Sequence, residues 1–335
     1  MKTVEKDFCL IRTHVLFRAG MDIESERWVF ILMIVHSIQK KNATMPTRRD
    51  FLTAVTAAMG AYSIAGGTIQ RTNAMTIQDV IDLIIATVPG APQDDSVDTV
   101  KSSDPSQPVT GIVATFLATA AVIQAAIDRR ANLIITHEPT FYNHLDETDW
   151  LRDDAVYQAK RRLLEDNNIV VWRFHDYWHQ HQPDGIATGV LKLLGWQAYA
   201  RPGHPDLCTI PSTPLSELAL FFKEKFGTHT ARVMGDPAMP CRNVGLLVGA
   251  WGGRKQIEYL GRDDVDVLVC GEVNEWETTE YVRDAALAER QKGLIVVGHA
   301  VSEEPGMQWL AEWLQPQVPD VPVTHIPTGD PFRYV

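Results

Sequence analysis

Four short apolar runs, each passing into a histidine or a glutamate, constrain this chain more than any other feature. The runs are Asn132–Thr136, Ile169–Phe174, Val265–Val269 and Leu294–Val297. None alternates apolar with polar residues, so each reads as a strand covered on both faces, as in a mostly parallel sheet. Helical spacing marks the segments Thr76–Thr87, Ile112–Arg130 and Asp153–Asn167. Strands alternating with helices predict βαβ units and an α/β fold. The first run leads into His137-Glu138, and the second into His175 with His179 and His181 beyond. The third leads through Cys270-Gly271 to Glu272, and the fourth through Gly298 to His299, Glu303 and Glu304. Open α/β sheets bind ligands beyond the carboxyl ends of their strands. One histidine at a strand end is an ordinary surface residue, but four such ends in one sheet predict a metal site.

The candidate ligands His137, Glu138, His179, His299 and Glu303 are nitrogen and oxygen donors, which suit zinc, manganese, iron or cobalt. Three histidines and two carboxylates exceed the usual three protein ligands of a mononuclear catalytic zinc. A carboxylate can bridge two cations, so two divalent metal ions are expected. The cysteines, at positions 9, 208, 241 and 270, have no CxxC spacing, which argues against a thiolate site. A Cys208–Cys241 disulfide and two isolated thiols both remain open. The net charge of −11, without a Lys/Arg stripe, excludes a nucleic-acid backbone as partner.

The N-terminal region reads as an address. Thr47-Arg48-Arg49-Asp50-Phe51-Leu52 precedes a mildly apolar run from Phe51 to Gly67, and Thr72-Asn73-Ala74 offers a cleavage site. The pattern resembles a twin-arginine export signal over residues 45–74, which predicts a periplasmic or extracellular protein. Such signals begin near the N-terminus, so Met45 is the expected start and residues 1–44 an over-extended N-terminus. The apolar run Trp28–Val35 has eight residues, against the roughly 20 that a bilayer span needs. No membrane span is expected, and the domain should occupy residues 75–335.

From Met75 to Val335 the chain resembles the dinuclear-metal, hexameric family called GTP cyclohydrolase I type 2-like or Nif-three-like. The family's strand running into His-His-Pro stands here as Leu133-Ile134-Ile135-Thr136-His137-Glu138-Pro139. Its His-x-x-x-Asp element stands as His175-Asp176-Tyr177-Trp178-His179, followed by Asp184-Gly185 and Leu193-Leu194-Gly195. Thr-Gly-Glu becomes Cys270-Gly271-Glu272, and the closing Gly-His-x-x-x-Glu is intact as Gly298-His299-Ala300-Val301-Ser302-Glu303. Two of the five ligand positions differ from the family pattern: the second His is Glu138, and the Asp is His179. Together the changes keep three histidines and two carboxylates, a compensated exchange in which Glu138 takes over bridging. A site holding one metal or none is the rival reading.

The resemblance implies a two-lobed fold, with residues 196–262 as a smaller second lobe, and a homo-hexamer. The turn Gly249-Ala250-Trp251-Gly252-Gly253-Arg254 follows a strand there and is a candidate phosphate contact. The expected function is metal-dependent hydrolysis of a small substrate by a metal-bridging hydroxide. The family label implies opening of the purine ring of GTP, which an exported protein would rarely meet. Glu272 is the candidate proton shuttle, with Glu304 and Asp176 as weaker choices. Its bland alternative is to cap a helix expected over Glu275–Gln291. A metal-binding or partner-binding scaffold without turnover is the alternative from a different class.

Overall fold

The computed structural model describes residues 74–335. The expected N-terminal extension and export signal therefore lie outside the described residues, save for Ala74. The first part of the described chain runs α1 (Ile77–Ile85), β1 (Val100–Ser102), β2 (Ile112–Thr115), α2 (Ala120–Asp128), β3 (Leu133–Thr136), α3 (Ala155–Glu165), β4 (Val170–Arg173), α4 (Asp176–Gln180) and α5 (Gly185–Leu194). Then come β5 (Ala200–Arg201), β6 (His204–Pro214), α6 (Leu215–Phe226), β7 (Arg232–Met234), β8 (Pro240–Leu247), α7 (Gly253–Leu260) and β9 (Val267–Cys270). The last elements are α8 (Glu280–Ala285), β10 (Gly293–Val296), α9 (His299–Leu314) and β11 (Val323–His325).

The strands form two sheets. A five-stranded sheet has the order β1-β4-β3-β2-β11, and a six-stranded sheet the order β5-β6-β8-β9-β10-β7. In the first, β4, β3, β2 and β11 run parallel, and only β1 is antiparallel to its neighbour. In the second, β8, β9 and β10 are parallel, with antiparallel strands on both flanks. The four apolar runs, expected from sequence to share one sheet, are divided between two: β3 and β4 belong to the first, β9 and β10 to the second. Residues 196–262 contribute four strands of the second sheet, which β9 and β10 complete.

Covered faces explain the unbroken apolar runs. Ile112, Ala114, Leu133, Ile135, Val170 and Trp172 turn to a central core that also holds α1, α5, α9 and one face of the second sheet. Val113, Ile134 and Val171 alternate with them and pack beneath α2 and α3. On the second sheet, Leu247, Leu268, Leu294 and Val296 pack against Leu260 and Val282 of α7 and α8. Each such aliphatic side chain contributes roughly 1.5–3 kcal/mol when fully buried.

The helix expected over Ile112–Arg130 is split. Ile112–Thr115 is a fully buried strand paired with β3 on one side and β11 on the other, and the helix starts only at Ala120. Thr119 caps it, its side chain accepting from the Val122 N–H. Apolar residues every third or fourth position suit either element over such a short run, and pairing decides. The helix expected over Glu275–Gln291 is likewise interrupted, with a π-turn at Glu275–Thr279 and a 3-10 turn at Ala286–Ala288 around α8. Cys208 and Cys241 are both free thiols. They sit on adjacent strands but out of register, Cys208 opposite Val244 and Cys241 opposite Thr213.

Two helices set the frame of the site. Asp184 caps α5 through its Oδ1, which accepts from the Ala187 N–H at 2.9 Å. Midway along α5, a Cβ on Gly189 would lie 2.2 Å from the Pro305 carbonyl oxygen. Only glycine lets α5 and α9 approach this closely, and α9 begins at His299.

Candidate metal centre

The site assembles where the carboxyl ends of β3, β4, β9 and β10 meet. His137 follows β3 and is fully buried. Its Nδ1 lies 3.3 Å from the Phe174 carbonyl oxygen, which places the proton on Nδ1 and leaves a lone pair on Nε2. That Nε2 is buried without a hydrogen-bond partner among the described residues. Burial, helped by nearby His175 and His179, pushes the His137 pKa well below the usual histidine range. The ring is thus neutral at pH 7, the form that ligates metals. An unpartnered buried nitrogen is costly unless something else meets it.

The other histidines repeat the arrangement. Directly after β4, the His175 Nδ1 is 2.8 Å from Asp176 Oδ1. One helical turn on, the His179 Nδ1 is 3.0 Å from Asp184 Oδ2. At the start of α9, the His299 Nδ1 is 3.1 Å from Glu272 Oε1. All four imidazoles thus have Nδ1 beside an oxygen acceptor; His137, His175 and His179 keep Nε2 without a hydrogen bond among the described residues, whereas His299 Nε2 meets Glu303 Oε2 at 3.0 Å. Metal-ligating histidines are held in this way, because the second acceptor fixes tautomer and ring direction. The rings crowd together, His137 to His175 at 4.6 Å between centroids, His137 to His179 at 5.1 Å and His175 to His179 at 5.3 Å.

Two carboxylates complete the cluster. Glu303 lies one turn beyond His299 on α9, so the helix puts both on one face. Its Oε2 is 3.0 Å from His299 Nε2 and 3.7 Å from His137 Nε2. Gly249, at φ +79°, passes so close that a Cβ there would sit 2.0 Å from Glu303 Oε1. Glu138 reaches in from β3, its Oε1 3.5 Å from His299 Nε2 and 3.8 Å from His175 Nε2. Burial opposes the Glu138 carboxylate, but His299, His175 and Arg173 hold its pKa below the ordinary range. For His299 burial again works against the charge, yet Glu138, Glu272 and Glu303 push it up to about 12. That shift reflects the negative field facing the ring, a field that would equally hold a cation.

Ligand atoms of His137, His175 and His179 lie within 4.8 Å of one another, and so do those of His137, Glu138 and Glu303. His137 has one free lone pair, so the two groups share it and cannot both use it. The donor set and the unpartnered His137 Nε2 fit divalent metal. Of the residues expected from sequence, His137, Glu138, His179, His299 and Glu303 come together, and Glu272 joins through His299. His175 stands among them although the sequence reading left it out of the ligands. Its position just past the end of β4, like that of His137 past β3, is the signal that could have found it. Asp176 orients His175. Glu304 turns away to His325 at 2.8 Å and to the Thr328 N–H at 3.0 Å. The Gly249 amide, part of the expected phosphate turn, donates instead to Ser302 Oγ at 2.9 Å. Trp251 of that turn stands at the rim, 6.0 Å from the His179 ring.

Imidazoles and carboxylates gathered at strand ends of a two-sheet α/β domain define a candidate metal-centre protein. The chain belongs to the Duf34/NIF3 (NGG1p interacting factor 3) family, whose model matches residues 75–331. It is similar to a GTP cyclohydrolase 1 type 2 homolog of Clostridium acetobutylicum, 23% identical over 218 residues that cover 62% of this chain and 77% of the relative. A GTP cyclohydrolase 1 type 2 homolog of Vibrio cholerae is 25% identical over 213 residues, 62% of this chain and 78% of that one. The crystal structure of the hypothetical protein SA1388 of Staphylococcus aureus has the same fold. Its TM-score is 0.63 at 17% identity, over 78% of this chain and all (100%) of that one.

Proposed function

We propose that this protein is an exported, dinuclear-metal hydrolase acting on a small substrate. The observation that carries the metal reading is the common state of His137, His175 and His179, each with Nδ1 held by an oxygen acceptor and Nε2 free of hydrogen bonds among the described residues, with the His299–Glu303 pair facing them. His137, His299 and Glu303 would hold one cation, and His175 and His179 a second. Glu138, whose Oε1 lies between His299 and His175, would be shared. Divalent cations there would supply Lewis acidity and make water a nucleophile at neutral pH, so no serine or cysteine need act. The buried thiols suit that reading, since burial pushes Cys208, Cys241 and Cys270 up to about 12.

Glu272 is the proton carrier in this proposal. Its contact with His299 outweighs burial and holds its carboxylate below the ordinary range. The group is therefore ionised at neutral pH and accepts a proton before it donates one. Its side chain is 60% exposed, which leaves it open to water. Glu272→Gln should keep both metals and lose about 10²-fold in turnover. Unchanged turnover would rule it out as the carrier, and loss of metal would make its hold on His299 the larger task.

Metal-loaded protein offered a panel of phosphoesters, amides and cyclic amidines tests the enzymatic reading. No turnover across the panel with metal bound would favour the scaffold. That second reading draws support from Tyr142, Leu145 and Trp150, three large apolar side chains exposed on the segment after Glu138. Export through the twin-arginine route rests on Arg48-Arg49-Asp50-Phe51-Leu52. Changing both arginines to lysine should trap the precursor in the cytoplasm, and normal processing of that variant would overturn it. Among the described residues no helix is long and apolar enough to cross a membrane. A homo-hexamer, implied by the family pattern, belongs to the same proposal, and light scattering showing a stable monomer would sink it.

A further inference from the structure

Beneath the metal centre lies a buried charged group that the proposed chemistry does not use. Arg173, the last residue of β4, is fully buried. Its Nε donates to the His137 carbonyl at 3.2 Å and its Nη1 to the His144 carbonyl. Asp146 Oδ2 is 3.9 Å from Nη1 and 3.3 Å from the Lys101 ammonium. Two cations, Arg173 and Lys101, thus share the Asp146 carboxylate. Arg173 Nη2 has no hydrogen-bond partner among the described residues and lies 3.8 Å from Glu138 Oε2. The other oxygen of Glu138, Oε1, is the one that faces His299 and His175. The carboxylate is therefore divided, one oxygen toward the guanidinium and one toward the imidazoles.

Resting on the metal centre proposed above, we propose that Arg173 is the positioning residue for Glu138. It supplies the counter-charge that makes position 138 a carboxylate, and it turns a single oxygen, Oε1, toward the metals. An imidazole at 138 would leave this guanidinium with only Asp146, which it shares with Lys101, an unfavourable state for a buried charge.

The test is a two-by-two set in the full-length protein: unaltered, Arg173→Gln, Glu138→Gln, and both. In metal-free protein, Glu138→Gln should lower the melting temperature by several degrees when Arg173 is present, because it strands a buried charge. In the Arg173→Gln background the same change should cost far less. Titrated with Mn²⁺, Arg173→Gln should bind about 10-fold or more weakly, the usual scale for a residue behind a ligand. Arg173→Lys should recover part of that loss by keeping the charge. Additive melting shifts would overturn the proposal, as would Mn²⁺ binding unchanged by Arg173→Gln. Should Arg173→Gln fail to fold, metal-free Glu138→Gln alone decides, and an unchanged melting temperature sinks the pairing. Coupled melting shifts with no Mn²⁺ binding in any variant would uphold the pair and overturn the metal centre instead.

Discussion

Divalent metal should raise the melting temperature of the unaltered protein, and His137→Ala should remove much of that rise. A ligand that binds only the folded state stabilises by about 2.7 kcal/mol at a hundredfold excess over its Kd. In a domain of this size that is a shift on the order of 5–10 °C. His137 stands in both candidate ligand groups, and its Nε2 is the one buried nitrogen of the cluster left without a partner. Removing it takes the buried donor from whichever group uses it, so the cation it would hold should be lost in this variant. In metal-free protein the loss should be smaller than for an ordinary core residue, since an unsatisfied polar atom leaves with the ring. Scanning calorimetry with and without Zn²⁺ or Mn²⁺ gives both numbers. A His137→Ala protein that keeps its full metal content would remove the centre from where it is placed here.

Reversing the ligand exchange should succeed only in part. Glu138→His with His179→Asp restores the family pattern and the count of carboxylates, so the pair should bind metal better than either single change. It should still bind about 10-fold or more weakly than the unaltered protein, because the groups behind the ligands stay behind. Arg173, 3.8 Å from Glu138, would face an imidazole, and Asp184, now 3.0 Å from His179, would face a carboxylate. Like charges at such a distance disfavour both ionised forms. Binding equal to the unaltered protein would mean that Arg173 and Asp184 are indifferent to the exchange. Binding no better than the single variants would mean that the two positions do not compensate at all.

How much of this was legible follows from what each step depends on. β3, β4, β9 and β10 could be read because burial on both faces leaves an unbroken apolar run, and their ligands because strand ends are marked by the residue that follows. Their division between two sheets could not be read, since strand pairing is a property of distant segments. The same holds for Ile112–Thr115, whose pattern fits a helix until β3 and β11 take up its backbone groups. Glu303 was readable because helix geometry ties it to His299. Asp184, Arg173 and the Phe174 carbonyl were not, since what they do for His179, Glu138 and His137 is visible only when β4, α4 and α5 are folded against β3.

The placement of the site across two sheets has a mechanical consequence. His137, Glu138 and His175 extend from the first sheet, whereas Glu272, His299 and Glu303 extend from β9 and β10 of the second. A cation held by residues of both sets would be a reversible cross-link joining chain segments far apart in sequence, closing loops in the manner of a disulfide. A chelator would then cut that cross-link without touching a covalent bond, loosening the two sheets together. The bound ion would then be part of the architecture as well as of the chemistry.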